Sequence, residues 1–241
     1  MKLATPFVAK SVLQMSVEDV RPSVSYPVQP LLNAIGARYG FAHVPTLEPS
    51  QLVLQVQSGG AVLPGQPLAF QMGIFEYRGT RTQVTQLEIV SGAGLCAVTA
   101  RDTDQGDAFM DDLISYLESE FGYRDIKAHS KRVYGSSIII QFDDAIENHI
   151  SGFLEIGRVL SDAISLRMGA QLDFAMERLT FSSDPQEAPA RVAQFLSSFI
   201  IERRINHPYS ENRFFSTAPL QTGEHMSVLE RIEKILLARK R

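Results

Sequence analysis

The chain is short of cysteine: Cys96 is its single one. It can form no internal disulfide, and cysteine usage gives no reason to invoke secretion. Long apolar runs are also missing. No stretch approaches the roughly 20 residues needed to span a bilayer, and "SIIIQF" (137–142) is strand-sized. The opening "MKLATPFVAKSVLQMS" has a lysine at position 2, but its apolar run breaks at Lys10, too soon for a signal peptide. Neither charge sign dominates. With 23 Lys and Arg against 27 Asp and Glu, the formal charge of −4 offers no overall attraction to nucleic acid or to an anionic membrane. These absences set the expectation of a soluble, cytoplasmic protein with no membrane partner.

Catalytic and cofactor signatures are lacking too. "SGGAVLPGQP" (58–67) has suggestive glycines, but no Gly-Lys-Ser/Thr and no helix after it to receive a phosphate. "GAG" (92–94) falls between two expected strands, where it reads as turn chemistry rather than a dinucleotide fingerprint. There is no Gly-x-Ser-x-Gly, no His-Glu-x-x-His and no cysteine pair for zinc. His43, His129, His149, His207 and His225 are scattered without ligand spacing. "DTDQGD" (102–107) starts like a calcium loop, but its glycine and aspartate are exchanged, and Leu113 stands where the closing glutamate belongs. No cofactor and no metal are expected.

What is present is ordinary globular composition, 44% apolar and 21% charged, in a 241-residue chain long enough to bury a sizeable core. Pro6, Pro22, Pro27 and Pro30 mark residues 1–30 as an extended N-terminal arm. A short helix is expected over 31–41. The pattern then turns to period two, with strands over 52–57, 68–77, 82–90 and 94–101 joined by glycine-bearing links. Phe109, Leu113, Leu117 and Phe121 recur four apart in a helix over 101–122, with Asp104 or Thr103 as its cap and Gly122 at its end. Another strand is expected over 132–142.

A long helix from about Asp144 to Met168 follows, and its apolar residues form two stripes. Ile146, Ile150, Phe153, Gly157, Leu160 and Ile164 make one; Ile156, Val159, Ala163 and Leu166 lie beside it. So wide an apolar surface points to a central helix or a subunit interface. Strands over 172–181 and 193–204 and a helix from about Gly223 to Ala238 complete the order. Strands in runs rather than in alternation with helices imply an α+β fold. The expectation is a mainly antiparallel sheet of about six to seven strands, packed by the long central helix and the C-terminal helix. Residues 31–241 read as a single domain, with a boundary near 125 as the second choice.

Three segments carry chemistry-bearing side chains. The acidic helix has Asp102, Asp104, Asp107, Asp111, Asp112, Glu118 and Glu120 without an intervening basic residue, and it reads as a solvated face. In "YRDIKAHSKRV" (123–133), Arg124, Lys127, Lys131 and Arg132 lie close together; the segment reads first as an ordinary strand entrance, and otherwise as a basic strip for nucleic acid or an acidic protein. Its Asp125-Ile126-Lys127 copies the end of a metal-dependent nuclease motif without the preceding acidic residue on a strand. The third segment is "IIERRINHPYSENRFFSTAPLQTGEH" (200–225). Strand geometry puts Arg203 on the buried face, where it needs a carboxylate or several carbonyls. Glu177 and Glu211 are the expected partners.

Beyond Pro208 no regular pattern is legible until Thr222. Two readings of this loop compete. In one, Tyr209, Phe214 and Phe215 plug the core and the polar groups satisfy a long ordered loop. In the other, Arg203, Arg204, Arg213 and Tyr209 bind an anion, and His207 or His225 with Glu211 moves a proton. No nucleophile or metal set completes that constellation. The leading expectation is therefore a non-enzymatic protein that acts by association, as a homo-oligomer such as a homodimer or as a subunit of a protein complex. The alternatives are an enzyme acting on an anionic, phosphodiester-like substrate at 202–225, and a nucleic-acid-binding module using 124–132.

Overall fold

A computed structural model describes residues 2–15, 28–46, 68–90, 95–142, 153–168, 176–182, 198–204 and 206–238. The strand expected over 52–57 and the first part of the long helix, 144–152, lie outside them. So do the beginnings of the strands expected from 172 and 193.

The elements are β1 (Leu3–Met15), α1 (Val28–Arg38), β2 (Leu68–Tyr77), β3 (Thr80–Val90), β4 (Leu95–Ala100) and α2 (Thr103–Phe121). They continue with β5 (Ser130–Gln141), α3 (Phe153–Met168), β6 (Arg178–Ser182), β7 (Ser198–Arg203), β8 (Arg213–Ala218) and α4 (Thr222–Ala238). The fold is α+β, with an antiparallel sheet in the hydrogen-bonded order β2-β3-β4-β1-β5-β8-β7-β6. Among the described residues the sheet has eight strands rather than six to seven, because β1 and β8 escape the periodicity reading. Residues 1–30 carry β1, paired with β4 from Ala9↔Ala100 to Gln14↔Leu95, and the first residues of α1. Helix α1 starts three residues earlier than expected, since Pro30 sits in the first turn, where a proline removes no intrahelical bond.

The chain packs as two compact units, Val8–Gly135 and Met1–Phe7 with Ser136–Arg241. The connectivity of the first, β1-α1-β2-β3-β4-α2, recurs in the second as β5-α3-β6-β7-β8-α4. In each, the opening strand lies antiparallel beside the last strand of the meander, β1 against β4 and β5 against β8.

In the unit Val8–Gly135, both helices are built into the core. Asp102, not Asp104 or Thr103, caps α2, its carboxylate accepting from Gln105 N at 2.9 Å. Gly122 ends the helix in the left-handed region at φ 67°, its N–H donating to Leu117 O. The inward face of α2 is Phe109, Met110, Leu113 and Ile114. Helix α1 contributes Leu31, Leu32 and Ile35, and Tyr39 and Phe41 extend its face. Phe109 collects the rings of Tyr39, Phe41 and Phe75 at 4.6, 6.2 and 5.3 Å. On β2 a glycine is required at 73, because a Cβ there would fall 2.5–2.8 Å from the Phe41 ring carbons. The outer edge of β2 is closed by the segment after α1, through Ile74 N to Tyr39 O at 2.7 Å and Gln71 N to His43 O at 3.1 Å.

In the other unit, Ile138 and Ile140 of β5, Ile201 of β7, Phe214 of β8 and Leu229 of α4 form a buried cluster with Phe142 and Met176. Among the described residues, no side chain of α3 belongs to it.

Candidate functional site

The segment after β7 folds back as a tight clasp. Asn206 and Asn212 take left-handed conformations at φ 66° and 49°, which asparagine tolerates, and a 3-10 turn at Tyr209–Glu211 lies between them. Backbone bonds lock the turn: Arg204 N donates to Arg213 O at 3.1 Å and Phe142 N to Asn212 O at 3.3 Å. The Gln141 amide adds a bond to Glu211 O at 2.9 Å. The chain beyond the turn is a strand, not an irregular loop. β8 pairs with β5 from Ser136↔Ala218 to Gln141↔Arg213, and with β7 from Ile200↔Thr217 to Arg203↔Phe214. Two of the aromatics in this stretch belong to β8, with Phe214 buried and Phe215 half-buried, while Tyr209 is exposed.

Within the clasp, Glu211 Oε2 lies 3.0 Å from His207 Nδ1 and 3.2 Å from Arg213 Nε. His207, Glu211 and Arg213 therefore meet. The Arg213 Nε–H, itself buried, is not aligned for a hydrogen bond to that oxygen. Arg203 donates to Met176 O at 2.8 Å and Tyr209 O at 3.2 Å. Its guanidinium stands 4.7 Å from the Tyr209 ring centroid and 4.8 Å from that of Phe214. Two carbonyls thus accept from this inward arginine. Arg204 stands 5.4 Å from the centroid of Phe215.

His225 is in a different setting. It is fully buried on α4, with Nδ1 2.8 Å from Ser136 Oγ and Nε2 2.8 Å from Ser216 Oγ. The Ser216 hydroxyl donates to Ile200 O at 3.0 Å. Its single hydrogen is used there, so Ser216 accepts from Nε2–H, and Nδ1 accepts from Ser136. Burial pushes the His225 pKa down to about 4, with a hydrogen bond to the Ser136 backbone opposing. A ring with both nitrogens bonded and no exposed surface is a packing element, not an accessible base.

The basic strip and the acidic helix are partners of each other. Asp111 Oδ1 lies 2.7 Å from an Arg132 Nη and 2.8 Å from Lys127 Nζ. Arg132 also reaches Asp107 at 3.3 Å, and the Tyr134 hydroxyl donates to Asp107 at 3.1 Å. Burial raises the Asp107 pKa against the pull of Arg132; at Asp111 burial is outweighed by the bonds from Lys127 and Arg132, and the pKa falls. Asp112, turned about 100° from Asp111, accepts from Arg38 at 3.1 Å and from the Tyr39 hydroxyl at 2.7 Å. Three acids of this face are thus ion-paired within the chain, while Asp104 and Glu120 are exposed. Of the strip, Arg124, Lys127 and Lys131 are exposed.

Sequence reasoning gave no hint of Ser136 and Ser216 as partners of His225. A polar residue alternating with Phe214 and Ala218 was the available signal. Cys96 is buried, its thiol pushed up to about 12 by desolvation, and so is held as the unreactive thiol. Among the described residues, no group of three or more His, Cys, Asp or Glu is placed to hold a metal ion, and no helix is long and apolar enough to cross a membrane.

A different surface stands out on α3. Ile156, Val159 and Leu160 are 60%, 67% and 41% exposed, and Ala163 is exposed beside them. In comparisons with known proteins, no family model matches the chain and no curated protein matches its sequence.

Proposed function

We propose that the protein acts by association rather than catalysis, using α3 to join a second copy of the same chain. The observation that carries this reading is the apolar face of α3. Large side chains left in water on one helix face are the mark of an interaction surface, and each contributes about 1.5–3 kcal/mol when fully buried. The stripe Ile156-Val159-Ala163 also follows the three- and four-residue steps of a helix-packing seam. A two-fold pair of copies would bury the same stripe on both.

The enzyme and nucleic-acid readings draw less from the geometry. His207 and Glu211 make an oriented imidazole–carboxylate pair with no nucleophile brought to it among the described contacts, and Lys127 and Arg132 are ion-paired with Asp111. Light scattering at micromolar concentration tests the proposal. A mass of two chains is expected; a mass of one chain sinks self-association, and a heteromeric assembly would then have to be sought.

A further inference from the structure

His225 ties α4 to three adjacent strands through one ring. Nδ1 meets Ser136 on β5, Nε2 meets Ser216 on β8, and Ser216 passes its hydrogen to Ile200 O on β7. Phe199 closes the ring in edge-on at 5.6 Å. The proton pattern is fully used when the imidazole is neutral. A second ring proton would make Nδ1 a donor, force the Ser136 hydroxyl to turn, and leave a charge in a site without solvent, a cost that the Ser136 backbone bond offsets only in part.

Among the described residues no carboxylate is bonded to the ring to receive that charge. Among the described residues the ring meets the two hydroxyls, the Ser136 backbone and Phe199. On α4, Glu224 and Glu230 are exposed. On β7, Glu202 alternates to the opposite face and lies 3.9 Å from Arg178 of β6, while Arg203 is bonded to carbonyls. On β8, Arg213 stands beside Glu211, and β5 carries no charged residue from Ser136 to Gln141.

We propose that His225 is an acid-sensitive latch: protonation of the ring frees α4 from β5, β8 and β7 and uncovers the apolar side of the helix at Leu229. Release of the C-terminal helix is the shortest route by which the charged ring reaches water. The direction follows from linkage. The docked ring binds its proton with a depressed pKa, so docking is fully stable above about 6.5 and weakens as the pH falls toward about 4. At pH 4.5 the released population rises by about 10²-fold over its neutral value.

Hydrogen–deuterium exchange of the full chain, corrected for intrinsic rates, tests this. Peptides from Thr222–Ala238 should lose about 10²-fold protection between pH 7 and 4.5, ahead of peptides from β2, β3 and β4. In His225→Gln, which keeps a neutral polar group, that pH step should vanish. An α4 whose protection follows the strands, or an equal step in His225→Gln, overturns the latch. If that variant does not fold, NMR titration of the wild-type imidazole decides. A ring that stays neutral until α4 begins to exchange supports the latch, and one that titrates near 6.5 with α4 docked refutes it.

Discussion

Among the described residues, the units Val8–Gly135 and Ser136–Arg241 (the latter with Met1–Phe7) run through the same succession of strands and helices, yet they treat the first described helix differently. In the former, α1 sinks Leu31, Leu32 and Ile35 into a cluster shared with β2, β3, β4 and α2. Its counterpart α3 leaves Ile156, Val159 and Leu160 in water. The edge strands differ in the same sense: Phe70 and Phe75 of β2 are buried, whereas Phe181 of β6 is 56% exposed. Similar connectivity does not guarantee similar closure. Where a helix of ordinary apolar content stays uncovered inside a repeated framework, the uncovered face is the part available to a partner.

The comparison can be broken most forcefully on the closed side. Phe109→Ala removes a fully buried ring contacting three other aromatics, and it should cost about 4 kcal/mol in a denaturant melt. A loss below about 1 kcal/mol would mean that this unit is not packed as described. Next comes the ion-pair network joining α2 to β5. Arg132→Ala removes contacts to Asp107 and Asp111 that are partly open to solvent, so a loss of about 1 kcal/mol is expected. A loss that disappears in high salt would confirm its electrostatic origin. Smallest is the matching change on the open side. In chains dilute enough to be single, Ile156→Ala should alter stability by no more than about 0.5 kcal/mol. A penalty like that of a core residue would show that α3 packs within its own chain.

Much of this architecture was legible in the sequence, for physical reasons that also mark where reading failed. β2, β3, β4 and β5 alternate apolar and polar residues, and α2 carries its stripe at helical spacing with a left-handed glycine at its end. β8 was hidden because its inward residues are Phe214, Ser216 and Ala218, and the serine that breaks the apolar period is the one His225 requires. β1 was hidden in the same way. Its inward residues Ala9 and Ser11 are small because α2 approaches closely: a Cβ on Gly106 would lie 2.7 Å from Ser11 Oγ. The clasp trio His207, Glu211 and Arg213 was readable from proximity along the chain. The pairing of acidic helix with basic strip, which joins residues about twenty apart, was not.

Sedimentation equilibrium on the wild-type chain beside Ile156→Glu/Val159→Glu, both at micromolar concentration, tests the central claim directly. The account predicts two chains per particle for the wild type and one for the variant, with the variant's fold intact, because four carboxylates would otherwise be buried in the seam. A wild type that sediments as one chain, or a variant that still pairs, would contradict it.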